Sequence, residues 1–104
     1  MDMQITVLTP DRELFSGRAA SVKVPGVMGQ FQVLKNHAPI VSALEKGVIT
    51  LVTSPGTYRY YDIEHAAIKE DDAPGKVLEF EIESGFIEVL NNEVALLVQG
   101  AHRK

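Results

Sequence analysis

At 104 residues, 45% of them hydrophobic and 23% charged, the chain holds enough apolar material for one core of its own, in a single domain spanning residues 1–104. It contains no cysteine, which excludes disulfides and thiolate metal sites and suits an intracellular protein. Residues 1–52 carry five basic and four acidic groups and residues 53–104 five basic and ten acidic, for a net charge of −4; this is the wrong sign for neutralising nucleic-acid phosphates.

No apolar run approaches membrane-spanning length, and Met1-Asp2-Met3-Gln4 lacks the basic start and apolar core of a signal peptide. Contact with a membrane is therefore expected only through a protein partner, without direct insertion. The acidic second half reads as solvated strand faces or as attraction to a basic partner.

Ile5 and Val7 alternate with Gln4 and Thr6 and predict a first strand. Turn signals follow at Pro10-Asp11 and Ser16-Gly17. Ala20, Val22 and Val24 then alternate with Ser21 and Lys23, which predicts a strand burying those three. Pro25-Gly26 and Gly29 reverse the chain into a short strand over Gln30 to Val33, and His37 stands just before Ala38-Pro39. A polar loop constrained in this way is suited to present a surface. Ile40 to Lys46 allows a single helical turn at most.

Val48–Val52 and Tyr58–Tyr61 flank Ser54-Pro55-Gly56 and read as a tight hairpin. The charged stretch Glu64–Lys76 is expected to be the least ordered part, an extended hairpin tip in water. Phe80 and Ile82 alternate with Glu79, Glu81 and Glu83, giving one buried face and one carboxylate ladder. Phe86–Leu90 and Val94–Val98 flank Asn91-Asn92, residues that tolerate left-handed backbone, so they form a tight hairpin. The pattern predicts an all-β fold: a two-sheet antiparallel β-sandwich of about eight to ten short strands.

Reactive chemistry is sparse. His37, His65 and His102 lie far apart, with no metal-site spacing between any pair. His65 beside Glu64 allows a metal or general-base reading, weighed against a plain surface histidine. No serine has the strained Gly-x-Ser-x-Gly frame, and the three glutamates share one open face instead of flanking a cleft. The glycines follow no phosphate-binding motif. Tyr58, Tyr60 and Tyr61 offer a stacking platform for a sugar or base, or else simple interior packing.

With these residues in view the chain resembles the epsilon subunit family of F-type ATP synthase (delta in the mitochondrial naming), in its N-terminal β-sandwich domain. The resemblance rests on Leu8-Thr9-Pro10-Asp11-Arg12, Leu14-Phe15-Ser16-Gly17, Val24-Pro25-Gly26, Gly29 and Asn36-His37-Ala38-Pro39. It continues through Leu44, Gly47 and Ile49 to Gly85-Phe86-Ile87-Glu88-Val89, Asn92 and Val94. Order and spacing together carry it, since each motif alone is weak.

The resemblance implies a non-catalytic rotor part at the foot of the central stalk, without cofactor or metal. Such a subunit links the gamma subunit to the membrane c-ring and couples proton or sodium translocation to ATP synthesis. It would sit peripherally at the cytoplasmic face of a bacterial inner membrane. Carried over by position, Val27, Met28, Gln30 and His37 are the expected contacts of a c-ring-facing loop. Gln30 stands where some relatives have an acidic residue, which implies a hydrogen bond in place of an ion pair; Gln32 and Lys35 also depart from the commoner pattern. The Tyr58–Phe80 region is longer than usual. The chain ends at Lys104, where many relatives continue into two inhibitory helices, so coupling without helix-mediated inhibition or ATP sensing is expected. The alternatives are a free-standing β-sandwich module binding protein or carbohydrate through the three tyrosines, and a small hydrolase using His65.

Overall fold

The computed structural model describes residues 3–62 and 64–103; the starting Met1-Asp2 and the terminal Lys104 lie outside them. Eleven strands follow in chain order: β1 (Met3–Leu8), β2 (Glu13–Gly26), β3 (Gly29–Leu34), β4 (Ile40–Leu44), β5 (Gly47–Thr53), β6 (Tyr58–Asp62), β7 (Ala67–Asp71), β8 (Val77–Ile82), β9 (Ser84–Leu90), β10 (Glu93–Gln99) and the two-residue β11 (His102–Arg103). Among the described residues there is no helix, and so none long and apolar enough to cross a membrane.

The 14-residue β2 organises the fold by belonging to two layers. Its first half pairs with β1 on one side and with β6 on the other, through Phe15↔Tyr60 and Ser16↔Arg59. Its second half pairs with β3 and β5. One layer therefore reads β7-β6-β2-β1-β10-β9-β4, and the other β3-β2-β5-β8-β11. Gly26↔Leu44 joins them at one end. A thickness of 19 Å fits two sheets packed about 10 Å apart.

Between the layers lie Met3, Ile5, Val7, Phe15, Val22, Val24, Ile49, Leu51, Ile87 and Leu96, all fully buried. Period-two alternation puts them there: Ile5 and Val7 on β1, Phe80 and Ile82 on β8, Ile87 and Val89 on β9.

Several expectations need correction. Ala20 is exposed and Ala19 is buried, because the register of β2 against β5 slips between Ala19 and Ser21. One extra residue in a strand reverses which alternate side chains face the core. Within Ile40–Lys46 no helical turn forms: Ile40–Leu44 is strand β4, paired with β9 from Ile40↔Val89 to Leu44↔Gly85. One pairing, β1 with β10, is parallel, because β1 enters between two strands whose directions other connections already set.

β5 and β6 make no hairpin. They pair with different halves of β2, and Ser54-Pro55-Gly56 carries the chain from one layer to the other. Buried Thr53 ties this crossing down: its hydroxyl donates to Ala73 O at 2.7 Å and accepts from Lys76 N at 2.9 Å. The hairpin here is β6–β7, in register from Tyr58↔Asp71 to Asp62↔Ala67. Within Glu64–Lys76, Ala67–Asp71 is thus a paired strand.

Candidate interaction surfaces

The β2–β3 hairpin closes on Val27-Met28, with Gly26 opposite Gly29 and Gly29 at φ 126°, backbone that a side chain would strain. Val27 is 56% and Met28 99% exposed. Val27 N–H donates to Ala43 O at 3.1 Å, which anchors the tip beside β4. Gln30 is exposed at the start of β3.

His37 lies at the other end of β3, whose six residues span roughly 20 Å at about 3.3 Å per residue. The four expected contact residues therefore form two sites: Val27, Met28 and Gln30 at the tip, and His37 apart. His37 N–H donates to Leu34 O at 3.1 Å, and its Nδ1 lies 2.7 Å from Ala38 O, so Nδ1 carries the proton and Nε2 is left as acceptor. The loop is held from outside by the β9–β10 turn: Asn36 N–H donates to Asn92 Oδ1 at 2.6 Å, and Asn92 Nδ2 donates to Asn36 Oδ1 at 3.0 Å. Asn36 and Asn92 both sit at positive φ, which asparagine accepts.

His65 meets Asp62, not Glu64. Buried Asp62 accepts from His65 Nδ1 at 2.7 Å, Lys69 Nζ at 2.8 Å, and the backbone N–H groups of Glu64 and His65 at 3.1 and 3.3 Å. Lys69 first, then His65, hold the Asp62 carboxyl well below the usual carboxylate range. The arrangement locks a turn. Of the three glutamates on β8 and just after it, Glu79 accepts from Thr50 Oγ1 at 3.4 Å and Glu81 pairs with His102 Nε2 at 3.0 Å.

The tyrosines do not form one exposed platform, although the Tyr58 and Tyr60 rings lie 6.0 Å apart. Tyr58 is buried, with its ring 5.5 Å from Phe15, and among the described residues its hydroxyl has no partner at hydrogen-bonding distance. Burial first, then the Asp71 carboxylate, push the Tyr58 phenol up to about 12. Lys76 stands over the Tyr60 ring at 5.5 Å and Arg12 over that of Tyr61 at 4.2 Å.

One surface was not anticipated. On the outer face of the first layer, Leu8 pairs with Leu97, Leu97 with Phe86, and Phe86 with Ala43. This is an unbroken apolar row across four strands, with Phe86 57% and Leu97 52% exposed. A 620 Å³ groove runs along it, lined by Leu8, Pro10, Ala43, Leu44, Phe86 and Leu97 among others. The row ends at Ala43, whose carbonyl holds the Val27 tip. The sequence carried a signal for it: Phe86 and Leu97 occupy the alternate positions where polar residues belong, and the Asn91-Asn92 turn sets them opposite each other.

Comparison with known proteins agrees with this architecture. A family described as the beta-sandwich domain of the ATP synthase delta/epsilon chain matches residues 2–73. The ATP synthase epsilon chain of Chlorobium limicola is 34% identical over 96 residues, covering 92% of this chain and 88% of its own. That of Thermosynechococcus vestitus is 36% identical over 103 residues, covering 99% of this chain but 60% of its own. This chain thus spans most of the first relative and about three fifths of the second.

Two solved structures share the fold. A chain of the Euglena gracilis mitochondrial ATP synthase (OSCP/F1/c-ring, rotational state 1) superposes with a TM-score of 0.72 at 19% identity, over 98% of this chain and 53% of that one. A chain of the Tetrahymena thermophila central stalk/c-ring assembly gives 0.64 at 14% identity, over 99% and 67%.

Proposed function

This chain belongs to the ATP synthase delta/epsilon β-sandwich family, and we propose that it works as a non-catalytic rotor subunit of the central stalk. In that role it is a peripheral part of a membrane-bound complex, at the cytoplasmic face of a bacterial inner membrane. It connects the gamma subunit to the c-ring so that ring rotation, driven by protons or sodium ions, reaches the catalytic head.

The observation that carries this reading is the contiguous apolar row Leu8–Leu97–Phe86–Ala43 and the groove along it. A contiguous exposed apolar patch bordered by polar residues marks a docking surface. We assign gamma to this row. The adjoining β2–β3 tip, with Val27, Met28 and Gln30 exposed, is assigned to the polar loops of the ring. Gln30 supplies a neutral hydrogen bond there, and Met28 an adaptable apolar contact. His37, at the far end of β3, is a separate contact, its Nε2 free to accept from a partner. A rigid sandwich suits torque transfer, because load on the row passes directly into paired strands.

The test is co-purification of the full chain with gamma, alone and with Phe86→Asp or Leu97→Asp. Recovery of gamma by the parent chain and its loss with either substitution is the expected result. Failure of the parent chain to recover gamma or c-ring protein overturns the assignment.

A further inference from the structure

The β6–β7 hairpin is mounted more firmly than a charged surface loop requires. At its root Tyr58 is buried against Phe15 and sits on Gly17, where an added Cβ would lie 2.3 Å from the Tyr58 Cβ. At its tip Asp62 gathers two side-chain and two backbone donors. What this rigid hairpin turns outward includes Ile68, which is 71% exposed, and directly opposite it Tyr61, half-buried against the core.

Strand alternation places these two residues on the same outer face as the apolar row: Ser16 pairs with Thr6 and with Arg59, all facing outward, and Tyr61 is two residues on from Arg59. Glu13, opposite Leu8 at the start of the row, reaches across to this hairpin through its ion pair with Arg59 at 3.2 Å. Arg12 is stacked 4.2 Å over the Tyr61 ring and makes no ion pair among the described residues. An exposed, unpaired guanidinium stacked on an aromatic ring calls for a carboxylate on whatever covers it.

We propose that the β6–β7 hairpin is a second contact element for the stalk partner that occupies the row. It extends the docking face with Ile68 and Tyr61 and sets Arg12 against a carboxylate flanked by apolar side chains on that partner. The inference rests on the reading of the row as the gamma-docking face.

The experiment compares binding of purified gamma by the full chain and by Ile68→Asp, Arg12→Glu and Phe86→Asp variants, each checked for an unchanged melting temperature. Ile68→Asp and Arg12→Glu are each expected to weaken binding about tenfold, with Phe86→Asp stronger still. Because the chain has no cysteine of its own, an Ile68→Cys variant carrying a short thiol-directed crosslinker provides a readout independent of folding, and it is expected to capture gamma. If Phe86→Asp abolishes binding while both hairpin variants stay within about twofold of the parent and Ile68→Cys captures nothing, the hairpin inference falls and the row stands. If Phe86→Asp has no effect, both fall. If the chain alone sediments as a dimer that Ile68→Asp dissociates, the occupant is a second copy and the proposal is overturned.

Discussion

Two outward rows, one on each face of the sandwich, obey the same alternation and differ in character. On the second layer Gln32 pairs with Lys23, Lys23 with Thr50, and Thr50 with Glu79, a row across four strands that is polar throughout. On the first, the corresponding row is Leu8, Leu97, Phe86 and Ala43. Folding requires only that the inward set be apolar, and both layers satisfy it. The outward set is free to vary, so an apolar row there answers to something other than the core.

Substitutions on the two faces test that contrast. Phe86→Asp is expected to cost partner binding at least about a hundredfold, the scale of an interface hot spot, with little change in melting temperature. Within the fold, Gly17→Ala drives a methyl into the Tyr58 root and should destabilise the chain by about 1–3 kcal/mol in chemical unfolding. Asn92→Gly keeps the left-handed backbone but removes both bonds to Asn36, and should lower stability by roughly 1 kcal/mol; Leu34–Pro39 would then exchange faster with deuterium. Glu79→Ala, on the polar row, should change stability by less than about 0.5 kcal/mol and leave partner binding unaltered.

A pH titration separates the hairpin lock from both faces. The folded pKa of Asp62 is depressed, so its contribution is present above the unfolded value near about 3.9 and disappears as pH falls through the folded value. The parent chain should therefore lose stability progressively below about pH 4. Asp62→Asn should be less stable near neutrality and show a flatter acid limb, monitored by thermal unfolding across that range.

Much of the fold was legible because period two is hard to disguise: Ile5/Val7, Phe80/Ile82 and the Asn91-Asn92 hairpin gave strands, faces and one register. What escaped depends on tertiary choices. The bulge between Ala19 and Ser21 displaced Ala20 from the core. β5 and β6 read as a hairpin because a proline–glycine turn joins them, yet each found a different half of β2. The turn chemistry was read correctly; the pairing partner could not be.

The site divides in the same way. The Val27-Met28 tip was visible from its flanking glycines, whereas His37 seemed part of the same loop because sequence distance does not reveal the strand that separates them. The row across β1, β10, β9 and β4 needs the parallel β1–β10 pairing, which no local signal announces.

The docking assignment is tested most directly by thiol accessibility in the assembled complex. Single Phe86→Cys and Glu79→Cys variants, built into ATP synthase, would be labelled with a maleimide and compared with the free chain. The account predicts that the Phe86→Cys thiol is shielded on assembly while the Glu79→Cys thiol stays reactive. Equal labelling of Phe86→Cys in the free and assembled states would contradict it.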